Sequence, residues 1–292
     1  MASVAAAADR SLVAAREIGA GAIPLVAVPF MGEVGRRRCR QAEVCWLDLS
    51  GNAHMVAPGL RVLVEGRPNR FKRRGRPANA FAPKSARIAR WLLLHPHRVM
   101  SQREIARATD MDEGFTSRIV AKLESDRLVR RPRGGGVQVS DPGLLLDAWR
   151  EVYDFSKHHV RRGHVPARSG DALLRQLSRA FVREGIEHAA TGLGAAWLLA
   201  RFATFRVVTL YLRQEPAPQL LEKASFHEEP RGANVWLVLP NDDGIFHGSA
   251  ERDGIRCVHP VQVYLDLQDH PERAGDAARQ LRADLLKWRD DG

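Results

Sequence analysis

Basic side chains recur over a short stretch of this chain, and arginine and lysine are the residues with which proteins hold nucleic acid. Arg118 and Lys122 stand four residues apart, and Ser117 precedes them. A guanidinium can donate two hydrogen bonds at once to O6 and N7 of guanine, whereas Ser and Lys reach phosphates or base edges singly. A second basic group borders three successive glycines: Arg130, Arg131 and Arg133. This spacing indicates recognition of double-stranded DNA.

Two short helices are expected to position the first group. Ser101-Gln102-Arg103-Glu104 has the form of a capping box, in which Ser caps the backbone and Glu three residues later reaches back. It predicts a helix from Gln102 to Ala108. Residues 111–114 predict a turn, and a second helix is expected from Phe115 to Glu124.

The second helix has two chemically different faces. Thr116, Ile119, Val120 and Leu123 follow the i, i+3, i+4, i+7 spacing of a face directed to the core. The opposite face fits a major groove, with Arg118 as the candidate for reading a base. Its members are Glu113, Gly114, Phe115, Ser117, Arg118 and Lys122. Phe115 either touches a thymine methyl group or completes the core, and the second role is favoured.

Two short β segments around a basic, glycine-rich tip follow in residues 128–139. A helix over about Lys84 to Leu94, with Ile88, Trp91 and Leu92 inward, precedes the pair of helices. The order predicts a winged helix-turn-helix over residues 84–140. We expect the following residues to contact DNA: Ser101, Gln102, Phe115, Ser117, Arg118, Lys122, Arg130, Arg131 and Arg133.

Positive charge is concentrated in the first half of the chain. Residues 1–80 hold 13 basic and 6 acidic side chains, residues 81–140 hold 12 and 6, and residues 141–292 hold 20 and 22. Such a field suits a polyanion, because bound Lys and Arg release counterions from phosphates. A GC-rich genome would also raise the arginine content, but it would not explain the asymmetry.

The chain is expected to be a multi-domain α/β protein. We expect a small α/β domain over residues 1–70, a basic linker over 71–80, the winged helix over 81–157 and an α/β domain over 158–292. The linker is either a solvated tether or an arm that lies along phosphates or enters a minor groove. In the first domain, residues 23–30 form a β-like apolar run broken by Pro24 and Pro29. Its predicted strands are 43–49 and 60–65, with a turn at Gly51-Asn52. Those in the last are 187–191, 206–212 and 235–239, and its final helices are about 260–268 and 272–288.

Cysteine usage and hydropathy favour the cytoplasm. Cys39, Cys45 and Cys257 are odd in number and match no zinc spacing. No apolar run approaches the roughly 18 residues of a membrane span. We expect no membrane association, no metal and no cofactor.

Two families resemble parts of the chain. Residues 84–150 are similar to the winged-helix domain of MarR- and IclR-type regulators, through residues 101–106, 114–124 and the wing. The remainder resembles AbiEi-like antitoxins of type IV toxin–antitoxin systems, through Thr191-Gly192-Leu193-Gly194 and the segment from His259 to Leu267. The second resemblance implies an autoregulating transcription factor paired with a toxin. The winged-helix analogy implies a homodimer on two-fold DNA sites.

Two weaker resemblances raise the question of catalysis. The C-terminal part is similar in layout to a nucleotidyltransferase fold, whose strand Asp-x-Asp holds Mg²⁺, but residues 206–212 contain no carboxylate. The N-terminal part resembles a restriction-endonuclease-like fold, in which Asp48 would be the first metal ligand. Glu65 is followed by Gly66 and Arg67, so the position of the catalytic Lys holds Arg. We expect both folds without their catalysis, with Asp48 and Asn52 shaping a strand-to-turn junction.

The sequence therefore predicts a sequence-specific DNA-binding transcriptional regulator and not an enzyme. Two alternatives remain open. One is a metal-dependent nuclease or nucleotidyltransferase acting on nucleic acid. The other is an interaction scaffold, whose acidic C-terminal half binds a toxin.

Overall fold

The computed structural model describes residues 4–71, 79–201, 204–229 and 231–288. Most of the expected basic linker, residues 72–78, lies outside this part of the chain. The described residues form three groups of elements that follow one another along the sequence.

The first group is a small α/β unit with its own core. Its elements are α1 (Val4–Ile18), β1 (Leu25–Val28), α2 (Glu33–Gln41), β2 (Cys45–Asp48), β3 (Ala53–Ala57) and β4 (Leu60–Val64). The sheet order is β1-β2-β3-β4, with β1 and β2 parallel and the remaining pairs antiparallel. Met31, Val26 and Trp46 are buried between the sheet and the helices. Because this apolar cluster is separate from that of the later residues, the unit has its own core.

The sequence analysis missed β3. It placed a turn at Gly51-Asn52 but no strand directly after it. Gly51 has φ +95°, which turns β2 back into β3. The segment Ala53–Ala57 contains a single β-branched residue, so its composition gives a weak strand signal, and the structure forms it by pairing with β4.

The second group is a winged helix-turn-helix, as predicted. Its elements are α3 (Ala86–Leu94), α4 (Gln102–Ala108), α5 (Glu113–Ser125), β5 (Val129–Arg130), β6 (Gln138–Val139) and α6 (Pro142–Arg150). β5 and β6 pair antiparallel, and Met100 forms a bridge with Val137 that adds a third short strand segment to the wing. Ile88 and Leu92 are fully buried as expected, whereas Trp91 is only half-buried.

The third group is a mixed seven-stranded sheet with helices. Its strands are β7 (His159–His164), β8 (His188–Thr191), β9 (Val208–Leu212), β10 (His227–Glu228), β11 (Val235–Leu239), β12 (Ala250–Arg252) and β13 (Ile255–Cys257). Its helices are α7 (Gly170–Arg183), α8 (Gly192–Ala200), α9 (Pro218–Lys223), α10 (Pro260–Asp266) and α11 (Ala274–Leu285). The strand order is β10-β7-β11-β9-β8-β13-β12. Strands β9 and β11 run parallel, as do β8 and β13.

The sequence analysis found the central strands of this sheet and missed those toward its two sides. β8, β9 and β11 are apolar runs and were expected. β7 has the sequence His-Val-Arg-Arg-Gly-His, and β10 and β12 carry charged residues. Strands near an edge have one solvated face, so they lack the continuous apolar signal of buried strands.

The winged helix and the seven-stranded sheet share one continuous apolar core, which extends from Ala80 to Leu286. Ion pairs join the two parts around this core. Arg87 of α3 donates to Asp242 at 2.7 Å, and Arg282 of α11 pairs with Asp147 of α6. Arg282 also donates to the hydroxyl of Tyr264 at 2.9 Å. The winged helix is therefore held in a fixed orientation against the sheet.

A buried polar relay crosses the same junction. Arg90 on α3 is buried, and its Nη2 donates to Oε1 of Gln262 at 2.6 Å. The Nε2 of Gln262 donates in turn to Oδ1 of Asp266 at 2.7 Å. The amide of Gln262 thus lies between a buried cation and a buried carboxylate. Its oxygen faces the guanidinium, and its NH2 group faces the carboxylate. The face of Trp149 supports the guanidinium of Arg90, with 5.1 Å from Cζ to the ring centroid.

Replacing the relay residue should destabilise the protein strongly. In Gln262→Leu, Arg90 and Asp266 each lose a hydrogen bond to a charged group, and we expect the free energy of unfolding to fall by about 3 kcal/mol. Urea denaturation measures the loss. The control is Gln280→Leu on α11, where the amide is exposed and only meets Asp284. Equal stability of the two variants would show that the relay does not hold the junction.

Candidate nucleic-acid interface

Helix α5 begins two residues earlier than the sequence suggested. Asp112 is its N-cap, and the carboxylate accepts a hydrogen bond from the backbone N–H of Phe115 at 2.7 Å. This satisfies one of the N–H groups that a helix start leaves unpaired. Glu113 and Gly114 therefore lie in the first helical turn, and the expectation of a turn through residue 114 was wrong.

The two faces of α5 are as the periodicity predicted. Thr116, Ile119, Val120 and Leu123 are buried, while Ser117 and Arg118 are exposed. Among the described residues, α5 packs mainly against α4 and β5. Its polar face is open to solvent.

Arg118 has a free charge at the start of this face. Its guanidinium lies 5.8 Å from the ring centroid of Phe115, and the described part of the chain offers it no carboxylate partner. A Cβ on Gly114 would lie 3.8 Å from Nη1 of Arg118, so the guanidinium reaches back toward the first turn of the helix. The contact with Phe115 uses no N–H group, so the N–H donors of the guanidinium are available to a ligand.

Phe115 and Lys122 have structural contacts of their own. Phe115 is half-buried and packs against the core, which is the role that the sequence analysis favoured for it. Lys122 is half-buried and pairs with Asp126 one turn later. The pair neutralises part of the charge that the sequence analysis assigned to DNA.

Ser101 and Gln102 stand at the start of α4. The Ser101 hydroxyl accepts from the N–H of Glu104 at 3.1 Å, as the capping box predicts. The expectation that Glu104 reaches back to the capping residue was wrong, since its carboxylate pairs with Arg98 at 2.6 Å instead. The Nε2 of Gln102 is buried and has no hydrogen-bond partner among the described residues.

The wing presents three arginines at its surface. Arg130 donates from Nη2 to Oε1 of Gln138 at 3.0 Å, and Arg131 pairs with Glu124 at 3.1 Å. Arg133 is exposed at the tip. Gly136 has φ +83°, and a Cβ there would lie 2.7 Å from Cγ1 of Val99. The glycine allows the chain to turn back tightly beside the strand segment at Met100.

Two further arginines, which the sequence pattern had not singled out, lie on α4. Arg103 and Arg107 are exposed and line a cleft of about 390 Å³ with Trp91 and Ser101. Arg103 pairs with Glu113 at 3.1 Å, at the first turn of α5. Their i, i+4 spacing on a short helix was the signal that could have pointed to them.

Strand β9 carries hydroxyl side chains that are hydrogen-bonded to neighbouring residues. Thr209 and Tyr211 alternate along β9, and Tyr211 donates to the carboxylate of Asp266 at 3.0 Å. Thr209 Oγ1 lies 2.8 Å from Nε2 of His270. A Cβ on Gly192 would lie 2.8 Å from the same nitrogen, so His270 occupies the space in front of the turn.

Asp266 is enclosed by donors. Tyr153, Tyr211 and Gln262 donate to its Oδ1 and Thr191 donates to its Oδ2. Burial raises the pKa of Asp266 to about 6, although these hydrogen bonds favour the carboxylate. The side chain is a structural acceptor and both of its oxygens are occupied.

His158 joins the hydrogen-bonded group around Asp266 through Tyr153, and its ring has a defined tautomer. The N–H of Asn241 donates to its Nδ1 at 3.2 Å, so Nε2 carries the proton and donates to the hydroxyl of Tyr153 at 3.0 Å. Burial, with a smaller effect from Arg90, lowers the pKa of His158 to about 4. The ring is therefore neutral at physiological pH.

Asp48 organises the junction between β2 and β3. Its carboxylate accepts from the N–H of Met31 at 3.0 Å and from both the N–H and the Nδ2 of Asn52 at 2.9 Å. Burial would raise the pKa of Asp48, but these hydrogen bonds outweigh it and hold the pKa below its ordinary value. The carboxylate is occupied by the turn that the sequence analysis expected.

Metal binding and thiol chemistry have few suitable residues in the described part of the chain. The described residues contain no group of three or more His, Cys, Asp or Glu that could hold a metal ion. The three cysteines are free and buried, and burial raises the pKa of Cys39 to about 11 and that of Cys257 to about 12. No helix within the described ranges is both long and apolar enough to span a membrane.

The fold and the exposed face of α5 define a winged-helix regulator. Residues 82–136 match the MarR family, and residues 138–287 match the family described as transcriptional regulator, AbiEi antitoxin, type IV toxin–antitoxin system. The second match covers more than half of the chain, so the protein belongs to this AbiEi family. It is a DNA-binding transcriptional regulator of a type IV toxin–antitoxin system. No curated protein and no solved structure was found to match it.

The structural role of Asp48 can be tested by charge removal. The carboxylate of Asp48 accepts from three donors, and Asp48→Asn replaces one of its two oxygens with an NH2 group that cannot accept. We expect the free energy of unfolding at pH 7 to fall by about 1–3 kcal/mol. Because the folded-state pKa is depressed, the contribution is present above the unfolded-state pKa and is lost as the pH falls through the folded-state value. Urea denaturation at pH 7 and below about pH 4 should therefore show the difference shrinking.

The matched control for this experiment is Asp9→Asn, an exposed carboxylate of α1 that lies 3.8 Å from Arg38. It should change stability by less than about 0.5 kcal/mol. A difference between Asp48→Asn and wild type that grew in acid would contradict the assignment.

Proposed function

We propose that α5 lies in the major groove of an operator and that Arg118 reads a guanine there. Two observations carry this proposal: Arg118 is exposed, and no carboxylate of the described residues pairs with it. Two donors of its guanidinium suit O6 and N7 of guanine. Ser117 bonds a phosphate or a base edge beside it, and Phe115 supports the arginine from the core side.

The remaining contacts of the proposed interface are to the backbone of DNA. Arg130, Arg131 and Arg133 reach phosphates or the minor groove from the wing. The ion pair of Arg131 with Glu124 is partly exposed and weak enough for a phosphate to replace it. Lys122 contributes after it exchanges Asp126 for a phosphate, and Ser101 and Gln102 approach the backbone at the start of α4.

We also propose the limits of three structural units and the folds that two of them resemble. We assign residues 1–70 to an endonuclease-like unit, 81–157 to the winged helix and 158–292 to a nucleotidyltransferase-like unit, the last two sharing a core. Neither unit is assigned catalysis. Asp48 is occupied by three donors, and Thr209 and Tyr211 stand where paired carboxylates would be required.

The regulator is proposed to act in the cytoplasm as the autorepressor of its own operon. The family description supports a toxin as the genetic partner, and we propose the C-terminal unit as the part that counters it. A homodimer on a two-fold operator follows by analogy with other winged-helix regulators.

Arg118 can be tested against the protein's own upstream DNA. Arg118→Ala should reduce the preference for operator over competitor DNA by about tenfold or more, since a bidentate pair is worth about 1–3 kcal/mol. Gel-shift titration with both DNAs measures the ratio. Arg118→Lys retains the charge without the fork and should also lose preference. An unchanged ratio in both variants would remove Arg118 from base recognition.

The wing should contribute to affinity without specificity. The double variant Arg130→Ala/Arg131→Ala is expected to reduce the slope of log affinity against log salt by about 2, with operator preference retained. Fluorescence anisotropy over a salt series measures this slope. Arg168→Ala/Arg231→Ala is the control, since it removes the same charge from exposed positions of the C-terminal part. Equal slopes in the two double variants would place the wing outside the interface.

A further inference from the structure

An open groove lies between α7 and the β12–β13 hairpin, away from the residues assigned to DNA. Its volume is about 590 Å³. α7 contributes Arg175, Arg179 and Arg183 to one wall, and the hairpin contributes Glu251, Asp253 and Arg256 to the other. Glu187 lines the groove as well, and Asp253 is paired with Arg201. The α7 arginines stand at i, i+4 and i+8, so the groove has a row of guanidinium groups along one side.

The positive charge of this row is only partly neutralised. Arg175 pairs with Asp171 at 3.1 Å and Arg256 pairs with Glu187 at 2.8 Å. Arg179 and Arg183 are exposed, and neither has a carboxylate partner among the described residues. Like charges four residues apart on a helix repel each other, and a bound anion would relieve that repulsion.

A buried hydroxyl provides a second, independent observation. Ser178 lines the groove and is 5% exposed, and its Oγ has no hydrogen-bond partner in the described part of the chain. Buried hydroxyl groups in folded proteins are normally paired with protein, water or ligand. Guanidinium groups bind phosphate with charge-assisted hydrogen bonds, and a serine hydroxyl has one O–H that can donate to a phosphate oxygen.

The rest of the groove offers surface for a base and a ribose beside the phosphate. Val182 is 69% exposed and lies along the same wall as the arginines, where it offers apolar surface to a base. The carboxylate of Glu251, which forms no ion pair with another described residue, can accept from the hydroxyl groups of a ribose. The volume lies within the range of small-ligand sites.

We propose that this groove binds a nucleoside monophosphate, with Arg179, Arg183 and Ser178 holding the phosphate and Val182 and Glu251 contacting the nucleoside. The site does not depend on the DNA-reading residues, so it can be tested on the full-length protein without operator DNA.

Isothermal titration with AMP, GMP, the matching nucleosides and inorganic phosphate tests the site. At least one monophosphate should bind wild type at least tenfold tighter than its nucleoside and than inorganic phosphate. Arg179→Ala/Arg183→Ala should weaken this binding at least tenfold, and Ser178→Ala should weaken it several-fold. Arg168→Ala, which removes an exposed arginine just before α7, should leave it unchanged.

Several outcomes would overturn the proposal. These are no heat with either monophosphate, equal affinity for nucleoside and monophosphate, and inorganic phosphate binding as tightly as the nucleotide. Gel shifts with the double variant separate this site from the DNA interface. Retained operator affinity is expected, and a parallel loss would assign the groove to DNA instead.

Discussion

The buried relay from Arg90 through Gln262 to Asp266 is the constraint on which the arrangement of the regulator depends. A buried cation and a buried carboxylate each need partners, because leaving either unpaired costs several kcal/mol. The amide of Gln262 bonds both groups with a single side chain, and the hydroxyl groups around Asp266 supply the remaining donors to the carboxylate. Since Arg90 lies on the first helix of the winged helix and Asp266 on α10, their requirements fix one part relative to the other.

This rigid junction matters for the DNA-reading helix. α5 packs on α4 and the wing, and these pack on α3, which Arg87 and Arg90 tie to the sheet. The position of Arg118 relative to the C-terminal unit is therefore set by the junction and not by a flexible linker. Any event that changed the environment of Asp266 would act on the same scaffold that holds the reading helix.

The same polar cluster occupies the space in front of the glycine turn that precedes α8. Thr209 and His270 fill the space in front of Gly192 and hydrogen-bond each other, while Tyr211 donates to Asp266. A site of this kind contributes stability through satisfied hydrogen bonds. The hydroxyl and imidazole groups of this cluster serve there as structural hydrogen-bond partners.

The sequence by itself determined the winged helix, the inward face of α5, the central strands β8, β9 and β11 and the candidate Arg118. These depend on local periodicity, capping and composition, which neighbouring residues encode. The Lys122–Asp126 pair and the β3–β4 hairpin are local, although composition signalled them only weakly. Only the tertiary structure decided that β7 pairs with β10 and β11 and that Arg90 meets Gln262. Those features arise from contacts between residues distant in sequence, whose energies exceed local propensity and leave no local pattern.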